Sequence, residues 1–486
     1  MSFFPDKLDT FHLFLGKEYI SLLIWEKGET FIAKEYAKVS LDVGKEWFEK
    51  IIVESGIVYT KYPVKGVYPY LPYGAKITRA ITEKVHQFLE EDGHEPIVFP
   101  SLVPLSLFKR EVDFFKGFMP EALLASKKLS GEELDEPLVL RPTSEVPIYY
   151  VFSQLLTSYK QLPLKVYQTV TVYRIETKAT APLLRLREVF LFNEAHVFCK
   201  SKEEAEKLFE RAINVYKKIY DYFKIPYIII QSPPWDLFPG AIENYDFITV
   251  LPDGKVLELA SVINLGQKFA KAFKIIFQDA DKENKYVWQL CYGIGIDRLL
   301  ASLIWLHGDS RGLVLHPGIA PIQVVVVSIP TKPELTEAAK KYVKDLKLEQ
   351  RVYVDEDPEK TPGWKFYHWE QRGVPVRIEI GRRELENKTL TLVDRINFDK
   401  RNIPASSANE EINKLLARIR EDLWKRAVEK VSKSFKDNLY ATEIEFTEEE
   451  CLRIEDEKNL STLGKIVDSN FLPEKYYGKI IFGKKY

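Results

Sequence analysis

Glu188-Val189-Phe190-Leu191-Phe192-Asn193-Glu194-Ala195-His196 is the stretch from which the fold is read. In an extended chain alternate residues share a face, so Phe190, Phe192, Glu194 and His196 project together. Two ionisable groups among aromatics either satisfy one another as a buried pair or line a pocket for a small ligand that is partly polar and partly apolar. The pattern leaves both readings open. Upstream, Lys165 to Tyr173 reads as another strand, joined to the first through a turn at Thr180-Ala181-Pro182. Strand-like alternation holds from Leu138 to His196, broken by one helical stretch near Tyr149 to Tyr159, and marks the start of an antiparallel sheet.

Working outward, apolar residues at helical spacing predict a helix from about Ala75 to Glu91 and a strongly amphipathic one from Glu203 to Phe223. Tyr227 to Ile230, Phe247 to Leu251 and Val256 to Ala260 read as further strands. Helices mixed with antiparallel strands indicate an α+β domain, with bounds of 43–320. From residue 321 the rhythm becomes β-α-β: Gln323 to Ser328, a helix from Leu335 to Leu346, Val352 to Val354, then Val376 to Ile380 and Leu390 to Val393. That predicts a separate small α/β domain over 321–408, ending in a polar, linker-like stretch from Asn402 to Asn409. A helix from Glu411 to Val431 opens a C-terminal piece, 409–486. Residues 1–42 read as a short strand-rich extension with no chemistry assigned.

The chain of 486 residues, 45% hydrophobic, can bury a large core. Its 70 Lys and Arg nearly cancel its 71 Asp and Glu, so a polyanionic partner must be met by a local patch. Cys199, Cys291 and Cys451 are too scattered for a disulfide framework or a zinc set, which fits a reducing, cytoplasmic setting. Ile20 to Trp25, the longest early apolar run, is too short to span a bilayer, and no targeting segment is read at the start.

Arg174 and Glu176 end the strand that begins at Lys165 and point to one face; Arg185 and Arg187 follow the turn. Guanidinium groups in this number suit a ligand with phosphate and carboxylate groups, the alternative being surface arginines paired with Glu176 and Glu188. Gly293-Ile294-Gly295-Ile296-Asp297-Arg298 precedes an apolar helix, Leu299 to Leu306, and lacks the third glycine of a doubly wound nucleotide fingerprint. Arg298 sits in the first helical turn, where a cation opposes the macrodipole at a cost of about 0.3–1 kcal/mol that a bound phosphate reverses.

Arg141-Pro142-Thr143-Ser144-Glu145, Arg174-Ile175-Glu176, Pro182-Leu183-Leu184-Arg185-Leu186-Arg187-Glu188 and Glu194-Ala195-His196 resemble, in order and spacing, the prolyl-tRNA synthetases of the archaeal and eukaryotic kind. Asn264-Leu265-Gly266-Gln267, Cys291-Tyr292-Gly293-Ile294, His307-Gly308-Asp309, Pro362-Gly363-Trp364-Lys365-Phe366 and Arg372-Gly373-Val374-Pro375-Val376-Arg377 continue the likeness, which spans roughly residues 43–430. The resemblance implies a class II synthetase antiparallel sheet flanked by helices, then a small α/β anticodon-binding domain and a short C-terminal α/β domain without zinc. It implies ATP-dependent activation of proline and transfer to tRNA.

By position, it implies that Arg174 and Arg298 hold the ATP phosphates and stabilise charge at the α-phosphate. Glu176, Arg185, Glu258 and Ser261 complete the ATP site, with Glu258 near a magnesium ion. Thr143 and Glu145 meet the imino nitrogen of proline, and Phe192, Glu194, His196 and Ile263 close the pocket. Lys365, Arg372 and Arg377 are implied contacts to tRNA, and the region near Pro100 is implied to form a homodimer. Glu258, Ser261 and Ile263 depart from the family's usual glutamine, threonine and histidine. These departures keep two alternatives in view: a paralogue that activates another amino acid, and a non-aminoacylating tRNA- or protein-binding module.

Overall fold

The structure, a computed structural model, describes residues 10–15, 19–26, 29–37, 43–175 and 180–486. Ten strands form one sheet in the order Tyr440–Thr442, Ile480–Lys485, Ser461–Ser469, Ile228–Gln231, Glu243–Val250, Lys255–Gly266, Trp288–Gly295, Glu188–Cys199, Leu164–Tyr173 and Glu95–Pro96. Neighbours pair antiparallel, except for the last edge pair and a short parallel contact of Lys255 and Val256 with Lys484 and Lys485. The C-terminal segment therefore extends the same sheet that contains the Glu188–Cys199 strand.

The two faces of this sheet differ. Alternation sends Ala195, Val197, Val262, Leu290, Tyr292 and Ile294 to one side, where they join a core with the helices Pro72–Glu91, Lys202–Tyr222 and Ile296–His307. The helix Lys202–Tyr222 shows why. Ser201 caps it by accepting from the Glu204 amide at 3.2 Å, Glu203 and Glu204 sit in the first turn, and Phe209, Ala212, Tyr216 and Ile219 form its buried stripe. The other face packs Val166, Phe198, Leu265 and Cys291 against the helices Glu145–Leu155 and Lys268–Phe273, and beside that second core it carries polar residues and a cavity.

The helix expected near Tyr149 to Tyr159 lies instead at Glu145–Leu155, followed by a short 3-10 turn at Tyr159–Gln161. It starts earlier because its first turn is anchored to the sheet, the Ser144 amide donating to the Glu194 carboxylate at 3.2 Å.

A second sheet orders its five strands Val352–Val354, Val324–Ser328, Val376–Ile380, Thr389–Asp394 and Lys400–Pro404. The first three run parallel and the last two antiparallel. The polar stretch read as a linker is in part this fifth strand: Ile403 is buried, while the Asn402 side chain donates to Thr389 and Thr391 on the neighbouring strand. The following helix spans Ala408–Asn438, 31 residues. Its first half packs Ile412, Leu416 and Ile419 on the small sheet, and its second half packs Ala427, Val431 and Phe435 into the core of the large one.

Within 10–37 the backbone forms three antiparallel strands, Thr10–Leu15, Tyr19–Glu26 and Glu29–Ala37. Among the described residues, no helix is long and apolar enough to cross a membrane.

Candidate active site

Strand register builds the floor of the cavity. One row across four strands is Asn244, Ile263, Cys291 and His196; the next is Asp246, Ser261, Gly293 and Glu194. All eight border a cavity of about 500 Å³, closed by Phe118, Arg174, Arg298 and the loop from Ser232 to Pro239. Gly293 keeps the centre bare. A Cβ there would stand 2.8 Å from Cζ of Phe192 and 3.2 Å from the Asn193 carbonyl oxygen.

At one end of the floor the Glu194 carboxylate accepts from Thr143 Oγ1 at 3.1 Å, the Ser144 amide at 3.2 Å and Gln168 Nε2 at 2.8 Å. Burial alone would raise its carboxyl, but the imidazole of His196, 3.9 Å away, and these donors hold it down to about 2. Glu145 goes the other way: burial pushes its carboxyl up, with His196 opposing and Glu194 reinforcing the rise. The cradle therefore offers one fixed anion and one carboxyl that gains from a nearby cation. Among the described residues Glu145 Oε2 and His196 Nε2 are buried with no hydrogen-bond partner, while His196 Nδ1 lies 3.1 Å from the Tyr149 hydroxyl. A carboxylate oxygen poised in this way suits a protonated amine donor.

At the other end stand the cations. Arg174 donates from Nε to the Pro142 carbonyl at 2.9 Å and lies over the rings of Phe192, at 5.2 Å, and Phe118. Arg298 occupies the first turn of Ile296–His307, as the sequence predicts. Its Nη1 donates to the Glu258 carbonyl at 3.1 Å and lies 3.5 Å from the Glu258 carboxylate, which is 53% exposed. Beside them Asp246 accepts from Ser232 Oγ at 2.5 Å, Ser261 Oγ at 2.6 Å and Asn244 Nδ2 at 3.0 Å. Burial and the Glu258 charge push its carboxyl up to about 6, against the pull of those donors.

Thr143, Glu145, Phe192, Glu194, His196 and Ile263, together with Arg174, Glu258, Ser261 and Arg298, all border this one cavity. Glu176 lies outside the described residues. Arg185 is not among the residues that border the cavity, and its guanidinium donates to the main-chain oxygen of Tyr486. The small sheet corrects two further expectations. Lys365 is fully buried, its Nζ 2.9 Å from the Asp355 carboxylate, and Arg377 is buried between Glu370, at 2.9 Å, and Glu379, at 3.0 Å. Neither presents its charge at the surface. Arg372 is partly buried, bonded to His368 and lying over the rings of Tyr73 and Trp369, with exposed Trp364 and Tyr367 nearby on the same helix.

Sequence reading missed Asn244, Asp246 and Ser232. The strand that carries Asn244 and Asp246 was expected from Phe247, but it starts at Glu243, and Ser232 lies just past the end of the neighbouring strand Ile228–Gln231. Glu243-Asn244-Tyr245-Asp246 is rich in residues disfavoured in strands, and only its alternation of small polar groups facing Ser261 and Ile263 could have signalled it.

Residues 128–306 match the tRNA synthetase class II core domain (G, H, P, S and T), and residues 323–415 match an anticodon binding domain. The chain is 47% identical over 357 residues to the proline–tRNA ligase of Ignicoccus hospitalis, covering 72% of this chain and 74% of that one. It is 43% identical to the proline–tRNA ligase of Methanocaldococcus jannaschii, over 79% of this chain and 85% of the other. Among solved structures, the prolyl-tRNA synthetase of Giardia lamblia in complex with prolyl-adenylate superposes with a TM-score of 0.81 at 32% identity, over 91% of this chain and 98% of that one. That of Cryptosporidium parvum complexed with L-proline and AMP gives 0.82 at 26% identity, over 92% and 96%.

Proposed function

Because this chain belongs to the prolyl-tRNA synthetases, class II ligases that activate proline with ATP and transfer it to tRNA, we propose that the cavity on the large sheet is where its adenylate forms. The observation that carries this assignment is the polarity of the cavity, with carboxylates and an imidazole at one end of a bare glycine floor and two arginines at the other. Proline enters with its imino nitrogen against Thr143, Glu145 and His196. Glu194, held ionised, fixes the Thr143 hydroxyl and the start of its helix. ATP lies toward Arg174 and Arg298, with Ser261 and Glu258 below it.

In the reaction a carboxylate oxygen of proline attacks the α-phosphorus, and pyrophosphate leaves. No side chain needs to act as nucleophile. Arg174 and Arg298 stabilise the negative charge that grows on the phosphoryl oxygens, in a site whose donors are already oriented by Pro142, Leu184 and Glu258. The half-exposed Glu258 carboxylate, a hard oxygen donor beside the phosphate end, fits a magnesium ion, which when bound neutralises phosphate charge. Ile263 replaces the family's imidazole with an alkyl wall, so the far side of the amino acid pocket packs against its substrate instead of bonding to it.

Arg372, with the aromatic surface of Trp364 and Tyr367, is the proposed contact to tRNA on the small domain. A homodimer is proposed through the region of Pro100, where Val98, Leu102 and Leu124 are 91%, 50% and 53% exposed; light scattering tests it. A cytoplasmic setting agrees with three buried, unpaired cysteines. Amino-acid-dependent exchange of labelled pyrophosphate into ATP, run with all twenty amino acids, tests the activation step. Exchange driven by proline is expected; exchange driven by a different amino acid alone would sink the assignment of the pocket.

A further inference from the structure

Residues 55–82 carry Lys61, Lys65, Lys76 and Arg79 and no aspartate or glutamate, in a chain whose basic and acidic residues otherwise nearly cancel. All four cations are exposed, and among the described residues none of them makes an ion pair or a hydrogen bond through its side chain. Lys61 and Lys65 stand on a loop between the helices Lys45–Glu54 and Pro72–Glu91, together with Tyr59, Tyr62 and Val64. These three are exposed too, and among the described residues neither tyrosine packs on another ring or bonds through its hydroxyl. Rings and ammonium groups that the fold itself does not use are what a single-stranded nucleic acid takes: bases stack on the rings and phosphates meet the cations.

The loop backbone is held in place, so a ligand need not order it on binding. Val58 and Tyr70 form a β-bridge, the Tyr59 amide donates to the Pro69 carbonyl at 2.9 Å, and the Val67 amide donates to the Val64 carbonyl at 3.2 Å. Gly66 lies at φ +82°, and a Cβ there would stand 2.7 Å from Cγ2 of Thr180 and 2.9 Å from Cγ of Arg187. The loop therefore rests on the turn that precedes the strand Glu188–Cys199. From it hydrogen bonds lead to the phosphate end of the cavity: the Gly66 carbonyl accepts from the Arg187 amide at 2.9 Å, and the Arg187 carbonyl accepts from the Arg174 amide at 2.9 Å. Tyr70 donates its hydroxyl to Asp297, the chain neighbour of Arg298. On its other side the segment meets the small domain, where Tyr73 donates to the Arg372 carbonyl at 2.9 Å and Arg372 Nη2 lies 4.0 Å from the Cβ position of Gly56. The cations of residues 55–82 thus lie on a segment that touches Arg372 at one side and the turn beside Arg174 at the other.

We propose that residues 59–65 dock the unpaired 3′ end of the tRNA on its way into the cavity, Tyr59 and Tyr62 stacking on its bases and Lys61 and Lys65 meeting its phosphates. The inference rests on the assignment of the cavity as the place where the adenylate forms, since the terminal ribose has to reach the amino acid there. Bases within a duplex are closed to such rings, so the single-stranded end, and not the paired stem, is the match for the tyrosines. Lys76 and Arg79, near the start of the helix that follows, extend the same positive charge along the segment. The loop holds the strand and takes no part in making or breaking bonds.

The test compares aminoacylation of a proline tRNA transcript with pyrophosphate exchange, in the full chain and in the variants Lys61→Ala with Lys65→Ala, Tyr62→Ala and Tyr62→Phe. The KM for tRNA is expected to rise about tenfold in the double lysine variant and in Tyr62→Ala, and to return in Tyr62→Phe, which keeps the ring. The dependence of that KM on salt should fall by about two counterions in the lysine variant and hold in the tyrosine ones. Fluorescence anisotropy with the same transcript, whole and trimmed of its unpaired 3′ nucleotides, separates the end from the stem: the variants should weaken binding of the whole transcript and leave the trimmed one unchanged. Equal weakening of both transcripts, or a KM for tRNA that no variant moves, would overturn the proposal. So would a loss of exchange in step with the loss of aminoacylation, because the loop would then act through Arg187 and Arg174 on the cavity. Absence of exchange with proline in the unaltered enzyme is a different result, and it would remove the assignment of the cavity on which the proposal stands.

Discussion

In the large sheet, Arg174 and Arg298 border an open cavity; in the small sheet, Lys365 and Arg377 are closed into ion pairs with carboxylates of their own domain. All four belong to motif-like stretches, and as letters they are equivalent. The difference lies in where the nearest acid is placed. Asp355 comes ten residues before Lys365 and packs against the same helix, whose Trp369 also donates to it at 2.8 Å, so the ammonium is satisfied within the fold. Arg298 meets its carboxylate, Glu258, only at the half-exposed edge of the cavity, and both remain within reach of a ligand. A cation serves chemistry when its partner is far in sequence and open to solvent, and serves architecture when its partner is local and buried.

The sharpest way to break this contrast is Lys365→Met. It strands the Asp355 carboxylate in a buried site, with an expected loss of about 3–5 kcal/mol in the stability of the small domain. Urea melts followed by tryptophan fluorescence read it. An unshifted melt with a raised KM for tRNA would mean that Lys365 swings out to the nucleic acid after all. Next in size is Arg298→Ala, whose guanidinium acts on the transition state: a fall of about 10²–10³ in the kcat of proline-dependent exchange is expected, with little change in the melt. Were the melt to collapse while kcat held, the two regions would have exchanged roles.

The fold was legible where periodicity was strong. Lys202–Tyr222, with its buried stripe, came out within a residue of its bounds, and the Glu188–Cys199 face of Phe192, Glu194 and His196 does open on the cavity. Resemblance then brought in residues that periodicity cannot rank, such as Thr143, Glu145 and Ile263, and they too border it. What stayed hidden was pairing. Nothing in the spacing of Asn402-Ile403-Pro404 shows that a polar run pairs as an edge strand, and nothing in Arg185 shows that its neighbour in space is Tyr486. Asp246 was hidden because a polar strand start resembles a loop until the register with Ser261 is known.

Acid provides a milder probe, aimed at the seam between the two regions. His307 ends the helix that carries Arg298, donates from Nε2 to the Phe223 carbonyl at 3.0 Å, and is lowered by burial to about 3. An unfolded histidine titrates near 6.5. Between these values the unfolded chain binds a proton that the folded chain refuses, so stability falls as pH drops below about 6.5 and the contribution of this group is fully present only above that. At pH 5 the loss is about 2 kcal/mol relative to pH 7. His307→Gln should flatten the dependence of the urea midpoint on pH over that range; an unchanged slope would mean that His307 is reached by water and proton in the folded state.

The smallest effect is expected at Arg372, which belongs to neither class. Tyr73 of the large domain donates to its carbonyl at 2.9 Å, and the Arg372 guanidinium lies over the Tyr73 ring, so the residue ties the small domain to the helix Pro72–Glu91. Yet among the described residues no carboxylate closes it; its side chain meets His368, and burial lowers its basicity while leaving it charged. A cation held by rings and an imidazole can still attract a phosphate. Arg372→Met, which keeps the stem over Tyr73, is therefore expected to raise the KM for tRNA only a few-fold, to lower the dependence of that KM on salt by about one counterion, and to leave the exchange rate with proline alone. If exchange fell instead while the salt slope stayed fixed, Arg372 would act through the domain seam and not on the nucleic acid.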